Sequence, residues 1–141
     1  DLTQATTWFA SGHGLGSTAS DYLRFTQMLT NGGELDGTRL LSRKTLAWMT
    51  ANHLNPNIAP GTAFLPGPGY GFGLGFAVRE QQGMSEWNGT PGEFYWGGYA
   101  GTFFFCDPKE QLTAVFLFQN PPVRNHYRAL FRATVLQAIV D

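Results

Sequence analysis

A serine becomes a nucleophile only when a base and an orienting group meet it in space. The serines here are Ser11, Ser17, Ser20, Ser42 and Ser85, and none sits in a Gly-x-Ser-x-Gly elbow or in a Ser-x-x-Lys pair. Ser42-Arg43-Lys44 has the wrong spacing, and Ser42 reads better as a helix cap. The acids are scattered singly, without the pairing that glycoside hydrolysis needs. His13, His53 and His126 have no second ligand at metal spacing and read as surface or structural histidines. The single cysteine, Cys106, excludes an internal disulfide and a cysteine zinc site, and its apolar setting reads as a buried small hydrophobe.

The stretch that combines chemistry with geometry is Glu93-Phe94-Tyr95-Trp96-Gly97-Gly98-Tyr99-Ala100-Gly101-Thr102. Aromatic residues favour a strand, and paired glycines let a ligand or a second backbone come close. Such a stretch serves as an active-site edge strand or as a tight bend in a sheet, and these residues alone leave both readings open.

The flanking elements define a frame for this strand. Ser17-Thr18-Ala19-Ser20-Asp21 reads as a helix start, with an apolar stripe (Tyr22, Phe25, Leu29) reaching Thr30. Asn31-Gly32-Gly33 ends that helix, Leu35-Asp36-Gly37-Thr38 is a turn, and Ser42 caps a shorter second helix. A proline-rich loop covers about 52–68. Gly69-Tyr70-Gly71-Phe72-Gly73-Leu74-Gly75-Phe76-Ala77-Val78 alternates strictly. As one strand it would put the glycines on one face, smooth enough for another segment, and the aromatics on the other. It is no dinucleotide fingerprint, because the glycine spacing is two throughout. Strands at about Glu93–Trp96, Phe103–Asp107 and Leu112–Gln119 follow, with a tight turn at Asp107-Pro108-Lys109-Glu110. Asn125 would cap a closing helix over about 124–140, striped by Tyr127, Leu130, Phe131, Val135 and Ile139, with Arg124, Arg128 and Arg132 on another face. The expected architecture is α+β, with helices packed on an antiparallel sheet of three to four strands. Helical segment (about 17–50), loop (52–68), sheet (about 69–119) and closing helix form a single domain over 1–141.

The 141 residues are 43% hydrophobic and 15% aromatic but only 13% charged, a composition that folds into a packed core. With a formal net charge of -1 and no basic stretch, nucleic-acid binding is not expected. No apolar run is long enough to span a bilayer. The chain opens at Asp1, with neither an initiator methionine nor a signal peptide, and reads as a processed chain or an excised piece.

Several ordered motifs together resemble one family. They are Gly14-Leu15-Gly16-Ser17-Thr18-Ala19-Ser20-Asp21-Tyr22-Leu23-Arg24-Phe25, Asn31-Gly32-Gly33-Glu34-Leu35-Asp36-Gly37 with Leu40-Leu41-Ser42, Tyr70-Gly71-Phe72-Gly73-Leu74-Gly75, Trp96-Gly97-Gly98-Tyr99-Ala100-Gly101-Thr102, and Asp107-Pro108-Lys109. From about Leu15 onward this order resembles the C-terminal portion of the serine β-lactamase-like family, which includes class C β-lactamases, D,D-peptidases and esterases of the same fold. The resemblance implies an acyl-transfer hydrolase acting on a small ester or amide, with no cofactor. It assigns Trp96, Gly97 and Gly98 to the substrate-lining third motif and the Tyr99 backbone N–H to the oxyanion hole.

Two departures qualify that implication. The family's Ser-x-x-Lys and catalytic tyrosine are absent, since they lie upstream of the matching stretch, while Tyr22 and Tyr127 sit on helix stripes and read as core. The chain is therefore expected to be a C-terminal fragment that is inactive alone. Trp96 also replaces the lysine of the third motif, so a carboxylate would lose its cation, and Trp-Gly-Gly is the form that resembles the esterase branch. The competing readings are a non-catalytic binding module for a peptide or glycan, and a free-standing domain that docks by its aromatic face. A sheet edge left open would favour self-association. The compartment stays open between bacterial periplasm and cytoplasm.

Overall fold

The computed structural model describes residues 5, 7, 8, 12, 14–57, 61 and 64–140. Helix α1 (Ala19–Thr30) starts where expected. Thr18 is its cap, its Oγ1 accepting the Asp21 N–H at 3.2 Å and donating to Asp21 Oδ2 at 2.8 Å. Asn31 closes it, and a two-residue ribbon follows, β1 (Glu34–Leu35) against β2 (Thr38–Arg39). Asp36 (φ 50°) and Gly37 (φ 74°) make the turn between them, as such a tight hairpin requires. Ser42 caps α2 (Arg43–Met49) by accepting the Thr45 N–H at 3.0 Å.

The main sheet is a five-stranded antiparallel meander of β3 (Tyr70–Phe72), β4 (Ala77–Arg79), β5 (Phe94–Gly97), β6 (Phe103–Asp107) and β7 (Leu112–Phe116), in that order. The α+β class holds, with one strand more than the upper expectation of four. The extra strand comes from the alternating glycine run, which is a hairpin and not one continuous strand. Phe72 pairs with Ala77, the Gly73 N–H donates to Phe76 O at 2.8 Å, and Gly75 (φ 93°) turns the chain. The aromatics consequently split between the two faces: Tyr70 packs in one core cluster and Phe76 in the other. The close approach expected of the glycines is real. A Cβ on Gly73 would lie 2.1 Å from Met49 O, and the Leu74 N–H donates to that same carbonyl at 2.8 Å.

Side-chain alternation along β4, β5 and β6 builds two cores. On one face Val78, Phe94, Phe104 and Cys106 meet Met28 and Leu29 of α1. On the other, Ala77, Tyr95, Phe103 and Phe105 meet the last helix, α3 (Arg124–Leu136), through Phe131, Val135 and Leu136. Strand β6 is buried at every residue, which is why Phe103–Cys106 are apolar without alternation. Its turn is held by Asp107, whose Oδ1 accepts the N–H groups of Lys109 and Glu110 at 3.1 and 3.3 Å.

Helix α3 departs from expectation in two ways. It starts at Arg124, running on from a 3-10 turn at Pro121–Val123, so Asn125 lies inside it and caps nothing. The two prolines preset helical φ, and Pro122 has no N–H to satisfy, which makes a side-chain cap dispensable. The inward face is also rotated: Tyr127, Leu130 and Ile139 are substantially exposed, whereas Arg132 is fully buried. The arginines turn inward because the sheet side offers them acceptors that the apolar side chains cannot use.

Candidate functional site

The strand bearing Trp96 is held from both ends. At its start, Glu93 is wholly buried and joins two arginines from distant segments. Its Oε1 accepts Arg79 Nε at 2.8 Å and the Tyr70 hydroxyl at 2.9 Å, and its Oε2 accepts Arg132 Nη2. Arg79 also donates to Tyr70 Oη at 2.6 Å and to the Trp87 and Asn88 carbonyls. Burial pushes the Tyr70 phenol up to about 12, so it remains a donor to Glu93 throughout the ordinary pH range. The Arg132 guanidinium further lies over the Phe105 ring, 4.8 Å from its centroid.

At its far end β5 pairs Trp96 with Phe104 and Gly97 with Phe103, then enters the bend Gly98–Thr102. The bend is closed by Gly98 N–H to Thr102 O at 2.8 Å and Gly101 N–H to Gly98 O at 3.2 Å. Gly101 adopts φ 140° against Phe118, where a Cβ would come within 2.9 Å of both the ring and the carbonyl. Strand β5 lies between β4 and β6 and is not an edge strand of the described sheet. Of the two readings left by the sequence, the structure shows the tight bend, at the far end of that strand.

Trp96, Gly97, Gly98 and Tyr99 all line one cleft of about 620 Å³. Its other walls are Ser17, Thr18 and Tyr22 from the start of α1, with Phe104, Val115 and Leu117 from β6 and the β7 end of the sheet. No described lining residue is charged. Trp96 is braced edge-on by Phe72, with ring centroids 5.0 Å apart. The Tyr99 ring is 81% exposed at the mouth, with Arg124 over it at 5.1 Å. Among the described residues none accepts the Tyr99 backbone N–H.

Tyr22 is the residue whose position the sequence conceals. It packs against Phe25 and Phe104 as a core tyrosine does, yet it also faces the cleft. Burial, and then Cys106, push its phenol above the ordinary tyrosine range, so it serves the cleft as a neutral wall. Tyr127, by contrast, is a surface residue edge-on to Phe118. Helical spacing placed Tyr22 on the packed face, but the start of α1 overhangs the end of the sheet, and only the fold reveals that.

The remaining candidates are structural. His53 Nε2 bonds to the Trp48 carbonyl at 2.8 Å, and its ring meets Trp48 edge-on. His126 stacks edge-on with Tyr127, while His13 and Ser11 lie outside the described residues. Cys106 is fully buried, and desolvation pushes its thiol up to about 11. Among the described residues no group of histidine, cysteine and carboxylate side chains could hold a metal, and no helix is long and apolar enough to cross a membrane.

A model of the β-lactamase family matches residues 2–137. Over 118 residues the chain is 37% identical to Protein Rv1367c of Mycobacterium tuberculosis strain H37Rv, an alignment covering 79% of this chain and 29% of that protein. The same figures hold for the uncharacterized protein MT1414 of M. tuberculosis strain CDC 1551. Among solved structures, the chain is similar to EstCE1, a hydrolase with promiscuous acyltransferase activity. That match has a TM-score of 0.68 and 28% identity, over 83% of this chain and 29% of the other. A penicillin-binding protein homolog from Caulobacter crescentus shares the fold, with a TM-score of 0.51 and 23% identity over 69% of this chain and 24% of the other. The chain thus spans less than a third of the length of each of these relatives.

Proposed function

The chain belongs to the β-lactamase family, and on that premise we propose that it is the C-terminal part of a serine hydrolase that cleaves ester or amide bonds through an acyl-enzyme. One observation carries the reading: Trp96, Gly97, Gly98 and Tyr99 line the same cleft, and the Tyr99 N–H has no acceptor among the described residues. A donor held ready and unpaired suits the oxygen of a tetrahedral intermediate, and losing such a donor costs about 3 kcal/mol in other hydrolases. The nucleophile and its base belong to the part of the protein beyond these residues. In their absence the chain supplies the wall, the donor and the substrate contact.

The lining also supports a substrate class. Trp96 and Tyr22 offer ring faces, Ser17, Thr18 and Thr102 offer hydroxyls, and no described lining side chain carries a charge. A carboxylate lying among those lining residues would be desolvated without a cation, at a cost of several kcal/mol. The Arg124 guanidinium stands over Tyr99 at the mouth, outside that lining. Small neutral esters or amides fit better. The test is to treat the full-length protein with a fluorophosphonate probe and map the adduct by mass spectrometry. The expected result is one modified serine outside residues 1–141, together with turnover of neutral p-nitrophenyl esters. An adduct on a serine of this chain would overturn the fragment reading, and a protein without adduct or turnover would be a binding module.

A further inference from the structure

The bend that carries Tyr99 is gripped from behind. Arg128 of α3 donates through Nη2 to Gly98 O, through Nε to Gly101 O at 3.1 Å and through Nη2 again to Thr102 O at 2.9 Å. Of the two carbonyls left in the bend, Ala100 O accepts the Asn120 N–H at 2.9 Å. Gly97 makes room for this grip, since a Cβ there would lie 2.7 Å from the Arg128 guanidinium carbon. The glycine that the family resemblance assigns to the substrate side therefore also makes room for Arg128 on the α3 side of the strand.

The Gly98 carbonyl and the Tyr99 N–H belong to one peptide group. That group is planar and trans, as no peptide bond described here is cis, so its N–H points opposite to its carbonyl. The Gly98 oxygen accepts Arg128 Nη2 from the α3 side and the Gly101 N–H within the bend, so the Tyr99 N–H points away from both donors. Tyr99 itself lines the cleft with Tyr22, Thr18 and Trp96. A charge-assisted bond onto the carbonyl also polarises the peptide and makes its N–H a better donor.

We propose that Arg128 is a positioning residue for the oxyanion hole, orienting the Gly98–Tyr99 peptide and strengthening its N–H toward the developing oxyanion. Its catalytic half rests on the hydrolase reading above, while its structural half does not. The planar fork of arginine is required, because two of its nitrogens reach three carbonyls at fixed angles. A lysine ammonium is a single point donor and cannot reproduce that geometry.

The experiment compares Arg128→Lys and Arg128→Ala with wild type in the full-length protein. It reads kcat and KM for a neutral p-nitrophenyl ester, affinity for a boronic acid as tetrahedral mimic, and hydrogen exchange over residues 97–107. Expected are a kcat lower by about 10- to 100-fold, less than complete loss of an oxyanion donor, a KM little changed, and a parallel loss of boronate affinity. Guanidinium ion added to Arg128→Ala should restore part of kcat, and exchange should quicken in 98–102 while 103–107 stays protected. Unchanged kcat and boronate affinity, or a uniform loss of protection without guanidinium rescue, would overturn the proposal. If wild type turns over no ester, the hydrolase reading fails, and exchange at 98–102 still decides whether Arg128 holds the bend.

Discussion

Trp96 stands where the family resemblance implies a lysine, and its surroundings are those of a packed ring. It is half-buried, braced on Phe72 and in contact with both core clusters. A lysine placed there would lose that packing but restore a cation within the cleft. In the full-length protein, Trp96→Lys is expected to raise acylation by a carboxylated β-lactam relative to a neutral ester. Competition between the two substrates measures the ratio, and an unchanged ratio would dismiss the exchange of wall for cation. At this scale the sequence was most informative where backbone mattered: Trp96, Gly97, Gly98 and Tyr99 do share one cleft. Tyr22 was not legible as a cleft residue, nor Arg128 as the side chain that holds the bend, because helical spacing shows that residues share a face and not which neighbour that face meets. The three arginines four apart were a usable signal, since a column of them on a helix packed against a sheet must find acceptors wherever it turns inward.

Elements were legible in proportion to their own capping and turn chemistry. The starts of α1 and α2 follow from Thr18 and Ser42, which satisfy local backbone donors without help from distant residues. The hairpin from Tyr70 to Arg79 was not, because a period of two is the same in one strand and in two. What decides is Gly75, whose left-handed φ permits reversal, and the anchorage of Leu74 to the end of α2. The start of β5 depends on the most distant partners of all. Glu93 neutralises one of two buried guanidiniums while accepting from both, and removing it would leave Arg79 and Arg132 without their carboxylate. Glu93→Ala should therefore destabilise the protein by about 3–5 kcal/mol, the usual cost of breaking a buried pair by removing one partner. Chemical denaturation measures it, and a loss below about 1 kcal/mol, the scale of an exposed pair, would show that water takes the carboxylate's place.

The molecule as a whole is a sheet between two helical layers, with α1 and α3 covering opposite faces. Face coverage therefore differs from edge coverage. At the β3 edge, Asn52 Oδ1 accepts the Phe72 N–H at 3.1 Å and the His53 N–H donates to Phe72 O at 2.9 Å, so this edge is blunted. Strand β7, at the other edge, pairs with β6 alone among the described strands. An edge strand that keeps its donors and acceptors free is a template for another chain. The 141 residues by themselves are expected to associate through β7, giving a sedimentation profile that shifts with concentration. A monomer at every concentration, or association unaffected by Val115→Pro, would reject that edge as the contact. Fold class was legible at this scale because apolar β6 demanded cover on both sides. The number of strands was not, since it hinged on one glycine.

Cys106 gives the protein an internal clock. It is the only thiol in the chain, wholly buried where β6 meets α1, and close to the Thr26 carbonyl at 3.7 Å. Its thiol, pushed up to about 11, is unreactive as long as α1 stays seated. Labelling must wait for the helix to lift, so its rate counts those openings, much as amide exchange counts local unfolding. Because α1 also walls the cleft, the same count gives how often the cleft loses that wall.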